Sequence, residues 1–131
     1  MDNFDIFLNH ERCFVRITGC GDISQAAGEE IVTIARTTAA EHGYHVLYDM
    51  TKANMKVYFS SWFELPRKLE VFKNPKTRQV KAAVLIDKDD KSIDDYKFYE
   101  VVSDNVGLKI RIFFDEETAV EWLGNEAPEQ L

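Results

Sequence analysis

Tyr44-His45-Val46-Leu47-Tyr48-Asp49, followed after a loop by Phe59-Ser60-Ser61-Trp62-Phe63-Glu64-Leu65, is the stretch whose reading decides the fold. The first part is a short, almost unbroken apolar and aromatic run, the signature of a strand buried on both faces. In the second, Ser61 and Glu64 have the spacing of a capping box. Trp62, Leu65, Leu69 and Phe72 then fall on one helical face. Pro66 should kink that helix or reset its start, and Asn74-Pro75 stops it. The span 44–72 therefore predicts an inner strand over 44–49, an uneven loop over 50–59 and an aromatic-headed helix.

Working outward toward the N-terminus, the 44–49 strand is reached through a helix. Ala27, Ile31, Ile34, Ala35, Thr38 and Ala39 form its apolar stripe, Asp22 and Gln25 open it, and Gly43 closes it. A strand entered this way can lie parallel to its neighbour. Before the helix, Phe4, Ile6 and Leu8 alternate with other residues as in a half-buried strand. Asn9-His10 suits a tight turn, and a second strand over 11–18 carries Cys13, Val15 and Ile17 on one face. Gly19-Cys20-Gly21 is expected to break that strand.

Toward the C-terminus, Val80–Ile86 reads as a buried strand ended by Asp87, with a charged loop to Asp95. Ser92 opens a helix with Phe98, Tyr99, Val102 and Val106 on its apolar side, ended at Gly107. Leu108–Phe114 is the last strand, and Asp115 caps a closing helix with Ala119, Trp122 and Leu123 inward. The order β-β-α-β-α-β-α-β-α predicts an α/β fold: a five-stranded, mostly parallel sheet with one antiparallel edge and four helices. One domain is expected over 1–124, with 125–131 a short acidic tail that frays.

A chain of 131 residues, 45% hydrophobic and 30% charged, suits one globular unit and excludes a disordered one. Its net charge of -7 disfavours nucleic acid and anionic membranes as partners. Arg67, Lys68, Lys73, Lys76, Arg78 and Lys81 face only Glu70 between 67 and 81; this reads as a solvated helix face and lysine-rich turn, with a local basic patch as the alternative. No apolar run approaches the ~20 residues of a membrane span. The acidic start Met1–Asp5 is unlike a signal peptide, so a cytoplasmic location is expected.

Three strands end in an acid, Asp49, Asp87 and Asp115, at the sheet edge where open α/β folds bind ligands. Together they could hold Mg²⁺ for phosphoryl transfer. Asp115 is already explained as a cap and Asp87 as a turn residue, which leaves a Mg²⁺-dependent phosphotransfer enzyme using Asp49 as the lesser alternative. His45 reads as a polar member of the inner strand whose ring nitrogen a neighbour satisfies. Neither Cys13 nor Cys20 sits at a helix start beside a histidine, so a nucleophilic thiol is not expected. No phosphate cradle, nucleophile elbow or zinc spacing occurs. No catalytic residue, metal or cofactor is expected.

Ser60 and Ser61 are candidate phosphorylation sites, because a helix start favours negative charge, although their plainer role is capping. Tyr58, Phe59, Trp62 and Phe63 cannot all point inward from one loop and one helical turn, so one or two should line a pocket or form a contact surface. The exposed hairpin edge also makes a homodimer a candidate assembly.

In its element order, and most clearly in this central stretch, the chain resembles the STAS domains of the anti-sigma-factor-antagonist type, and particularly the SpoIIAA-like branch. Asp49-Met50-Thr51 stands where the STAS strand ends in Asp-x-Ser/Thr. Phe59-Ser60-Ser61-Trp62 stands where that pattern has an Asp-Ser-Ser-Gly-type helix start, with Phe59 in place of the acid and Trp62 in place of the glycine. Ser60 falls where switching members carry their phosphorylatable serine. Phe114-Asp115-Glu116-Glu117-Thr118-Ala119-Val120-Glu121-Trp122-Leu123 is similar to the branch's closing helix. The resemblance implies a non-catalytic module that binds a partner protein or a small apolar ligand, since similar folds include the lipid-binding Sec14 type. Asp49, Thr51, Tyr58, Phe59, Trp62 and Phe63 would form its working surface.

Overall fold

The structure, a computed structural model, describes residues 4–124. The expected tail over 125–131 lies outside the described residues. Strands β1 (Phe4–Asn9) and β2 (Phe14–Ser24) form an antiparallel hairpin, and helix α1 (Gln25–His42) leads to β3 (His45–Lys56). Three short helices follow: α2 (Phe59–Trp62), α3 (Leu65–Lys68) and, after a 3₁₀ turn over Glu70–Lys73, α4 (Pro75–Arg78). Then come β4 (Ala82–Leu85), α5 (Ile93–Asn105), β5 (Ile110–Phe113) and α6 (Glu116–Leu123). The sheet order is β1-β2-β3-β4-β5, and every pair after the first is parallel.

That order decides where the helices lie. Parallel crossovers are right-handed, so moving one strand along the sheet each time puts every connecting segment on the same face. The segments α1, 59–78 and α5 accordingly cover one side of the sheet, over Val15, Ile17, Val46, Tyr48, Val84 and Ile110. Helix α6 follows the last strand and covers the other side, packing Ala119, Val120 and Leu123 on Phe14, Leu47, Ala83 and Leu85. Its opening is as expected: the Asp115 side chain accepts from Thr118 N at 2.9 Å. Gly43, at φ 72, closes α1 in the left-handed conformation that glycine adopts freely.

Several local expectations are corrected. The hairpin turn is longer than Asn9-His10; it includes Cys13, which leaves the expected strand and takes φ 59. The glycines at 19 and 21 do not break β2, which runs on to Ser24, and Ser24 rather than Asp22 caps α1 by accepting from Ala27 N. Nor does β3 stop at Asp49. It continues to Lys56, pairing Lys52–Lys56 with Cys20–Ser24. Thr18 pairs with Asp49 but Cys20 with Lys52, so β3 holds one extra residue there, a bulge. The bulge reverses its alternation: Tyr48 and Met50 face the α1 side before it, Ala53 and Met55 after it.

The expected helix over 60–72 is broken into separate turns, which makes six helices instead of four among the described residues. Pro66 sits at the start of α3 and Pro75 at the start of α4, where the missing N–H costs nothing. In α5 the inward residues are Tyr96, Tyr99 and Ser103, while Phe98 and Val106 point outward. Among the described residues, no helix is long and apolar enough to cross a membrane.

Candidate functional site: an apolar cavity beneath the second helix

Between α1 and α5 the chain runs as separate short turns rather than as one helix. Beneath α2 they leave a cavity of about 60 Å³, floored by Tyr48, Met50, Ala82 and Val84 of the sheet and walled by Gly28 and Ile31 of α1, Phe59 and Trp62 of α2, and Tyr96 and Tyr99 of α5. The Trp62 indole lies directly on the Gly28 backbone and meets the Tyr99 ring edge-on at 6.3 Å. Phe59 meets Tyr96 in the same way at 5.5 Å. The lining is almost entirely carbon, as in most small-molecule sites.

Besides the tyrosines of α5, two residues with polar groups line the cavity. Arg36, on the buried side of α1, is 1% exposed. Its Nη1 donates to the carbonyls of Thr77 and Val80, each at 3.0 Å, and its guanidinium lies 4.8 Å from the Phe72 ring centre. Among the described residues no carboxylate pairs with it. The second is the Tyr48 hydroxyl, which is buried with no hydrogen-bond partner. Burial pushes the Tyr48 hydroxyl up to about 12, with the Arg36 charge opposing the shift and Tyr99 adding to it. For Arg36, burial works in the other direction and lowers its pKa, against the pull of Tyr48 and Tyr99.

Of the residues expected at the working surface, the structure brings Phe59, Trp62 and Phe63 together and leaves Tyr58 82% exposed beside them. Trp62 is buried, while Phe59 and Phe63 are half-buried. Phe63 packs edge-on to Phe98 at 5.0 Å and stacks on Tyr99, a residue of the cavity wall, so that with exposed Tyr58 just before α2 these rings form an aromatic shelf at the cavity's edge. Ser60 and Ser61 are exposed, and neither caps α2: the cap position is Tyr58, without a side-chain bond. Their expected capping role is thus corrected.

Asp49 and Thr51 lie elsewhere. The Asp49 side chain points to the sheet face that carries α6, where Arg16 Nη2 donates to its Oδ2 at 2.6 Å and Thr51 Oγ1 to its Oδ1 at 2.7 Å. Arg16 also bonds Glu116 at the start of α6. Half-burial pushes the Asp49 carboxyl up, but the Thr51 hydrogen bonds and the Arg16 charge outweigh it and hold the group below the usual carboxylate range. Asp87 and Asp115 are engaged separately, by Asp89 N and by Thr118. The basic stretch is mostly a solvated face. Arg67 pairs with Glu64, Lys68 with Glu29 and Lys73 with Glu70, while Arg78 donates to the carbonyls of Phe72 and Val106.

Arg36 and Tyr48 were absent from the expected site. Both carried a signal: Arg36 is in phase with Val32 and Ala39 on α1, and Tyr48 alternates with Val46 and Met50 on β3.

No family model matches the chain, and no curated protein matches it. Two solved structures share its architecture. One is an uncharacterized protein of the DUF3478 family with a SpoIIAA-like fold from Shewanella loihica PV-4: 15% identity, TM-score 0.56, covering 92% of this chain and 91% of that one. The other is the anti-sigma factor antagonist SpoIIAA in its unphosphorylated form: 14% identity, TM-score 0.51, covering 91% of this chain and 96% of that one. The chain has a SpoIIAA-like fold, with the mixed, mostly parallel five-stranded sheet that its sequence predicts.

Proposed function

We propose that this protein is a cytoplasmic, non-catalytic regulatory module of the SpoIIAA-like STAS type. It takes a small apolar ligand into the cavity beneath α2 and presents the aromatic shelf beside it to a partner protein. The cavity carries this reading. It is largely carbon-lined, lies under the Phe59–Trp62 segment where this chain departs from the STAS pattern, and is roofed by a single four-residue helix. Tyr58, Phe59, Trp62 and Phe63 are the residues that would transmit occupancy to the surface. Asp49 and Thr51, bound to each other and to Arg16, tie β3 to the start of α6.

The test is a shift in unfolding free energy with small neutral apolar compounds such as toluene and 1-butanol. A ligand at a hundred times its Kd raises stability by about 2.7 kcal/mol. The expected outcome is such a shift for at least one compound, lost when the cavity is filled by Ala82→Leu. If no compound shifts the melt, the reading falls.

The second reading is a serine phospho-switch at Ser60 or Ser61, favoured by the exposure of both hydroxyls immediately before the buried Trp62. A phosphate there adds about two negative charges within one turn of the cavity roof. Incubation with serine kinases of the host, followed by peptide mapping, should label the 56–67 peptide and change Trp62 fluorescence in a Trp122→Phe background. An unlabelled peptide removes this reading.

A further inference from the structure

A guanidinium buried without a counter-charge is an unusual thing for a fold to keep. The two carbonyls that Arg36 reaches, Thr77 O and Val80 O, both accept from Nη1. Arg36 also lines the cavity, and among the described residues no carboxylate balances its charge. Tyr48 lines the same cavity from the sheet, with its own donor unpaired. Each group alone would be a cost: a buried cation without a counter-charge, even one bonded to carbonyls, and an unsatisfied buried hydroxyl both weigh against a fold. Lining one largely apolar space, they supply a positive charge without a counter-charge and a hydroxyl without a partner.

We propose that the cavity binds a short-chain organic monocarboxylate. Its carboxylate sits between the Arg36 guanidinium and the Tyr48 hydroxyl, and its alkyl tail lies among Met50, Trp62 and Tyr96. The carboxylate supplies the counter-charge and the acceptor atoms that the protein withholds, and Arg presents donors in the fork a carboxylate matches. Size sets the chain length. At ~10–15 Å³ for each water-sized position, a cavity of about 60 Å³ holds roughly four to six such positions, which suits butyrate and shorter carboxylates rather than a long fatty acid. This inference rests on the cavity being a ligand site and adds the chemistry of the head group.

The experiment is titration calorimetry of the full chain at pH 7 with butyrate, 1-butanol and butylamine, which share a tail and differ in the head. Butyrate should bind at least about tenfold more tightly than butanol, the increment expected of hydrogen bonds to a charged group, and butylamine should be weakest. Arg36→Met keeps a shorter unbranched apolar stem without the charge and should bring butyrate down to the level of butanol. Tyr48→Phe guards against a misfolded Arg36 variant. Removing an unsatisfied hydroxyl should leave the empty protein as stable or more so, yet weaken butyrate severalfold and leave butanol unchanged. A merely structural tyrosine would not separate those two effects. Equal binding of butyrate and butanol, or undiminished butyrate binding by both variants, would overturn the head-group assignment while leaving the apolar site standing. Failure of all three compounds to bind would overturn both.

Discussion

Trp62→Ala is expected to cost the fold about 3–5 kcal/mol, the range for removing a buried aromatic side chain. The indole is only 8% exposed although it stands on a helix of four residues, so most of what holds α2 in place is the burial of this one ring. It packs edge-on to Tyr99 and rests on the backbone of α1 at Gly28. The second contact makes the prediction sharper. A Cβ built at Gly28 would come within 2.7 Å of the Trp62 atoms Cζ3 and Cη2, too close for any real contact. Gly28→Ala in the wild type gains about 1 kcal/mol of helix propensity but forces the ring away, an overpacking cost of about 1–3 kcal/mol. The net effect should be destabilising. With Trp62 already replaced by alanine there is nothing to collide with, and Gly28→Ala should then stabilise by about 1 kcal/mol. Urea unfolding of the four proteins in this double-mutant cycle checks the reversal of sign. If Gly28→Ala has the same effect in both backgrounds, the indole does not rest on α1 as described.

Gly28 also shows how sequence and structure divided the information. As a residue inside a helical stripe it reads only as a weak point, since glycine costs about 1 kcal/mol relative to alanine there. Its purpose lies in a ring more than thirty positions away. Periodicity fared better with burial than with backbone: Trp62, Leu65 and Phe72 are buried and Leu69 half-buried, as one helical face requires, yet the chain between them is not one helix. Prolines 66 and 75 each restart it, and the spacing survives because successive short turns still aim their apolar residues at the same groove. The opposite failure occurs at 50–56. Lys52, Asn54 and Lys56 look like loop, and so do the glycines of the partner strand, but the two segments satisfy each other's backbone groups by pairing. Neither could be read as strand alone. The alternation that would have revealed β3 is also reversed by its bulge. Arg36 was hidden for a third reason. A guanidinium is assigned to solvent by default, and the carbonyls that permit its burial come from α4 and the residues after it, brought near only by the tertiary fold.

His45 should make stability fall as pH drops below neutrality, well above the range of ordinary carboxylates. The residue opens β3, is 3% exposed, and its Nδ1 accepts from Lys81 N at 2.9 Å, so the neutral ring is the form the fold uses. Burial, then the charges of Lys81 and Lys109, push its pKa down to about 4. In the unfolded chain the same ring titrates near ~6.5. The folded value is the depressed one, so the unfolded state takes up a proton first. The contribution of His45 is therefore complete above about pH 6.5, shrinks as pH falls, and is gone by about pH 4. Each unit of that gap is about 1.4 kcal/mol, and with some solvent reaching the ring the loss between pH 7 and pH 5 should be about 1–2 kcal/mol. Asp49 is the other group with a depressed pKa that ties elements of the sheet together, and its loss begins only as carboxylates protonate, so pH 5 isolates the histidine. His45→Asn places an amide oxygen near the position of Nδ1 and keeps an acceptor for Lys81 N while removing the titration. Urea unfolding at pH 7 and pH 5 should show the wild type losing about 1–2 kcal/mol more than the variant. Parallel losses in the two proteins would mean that the ring is protonated in the folded state, and the Lys81 hydrogen bond would then have to run in some other way.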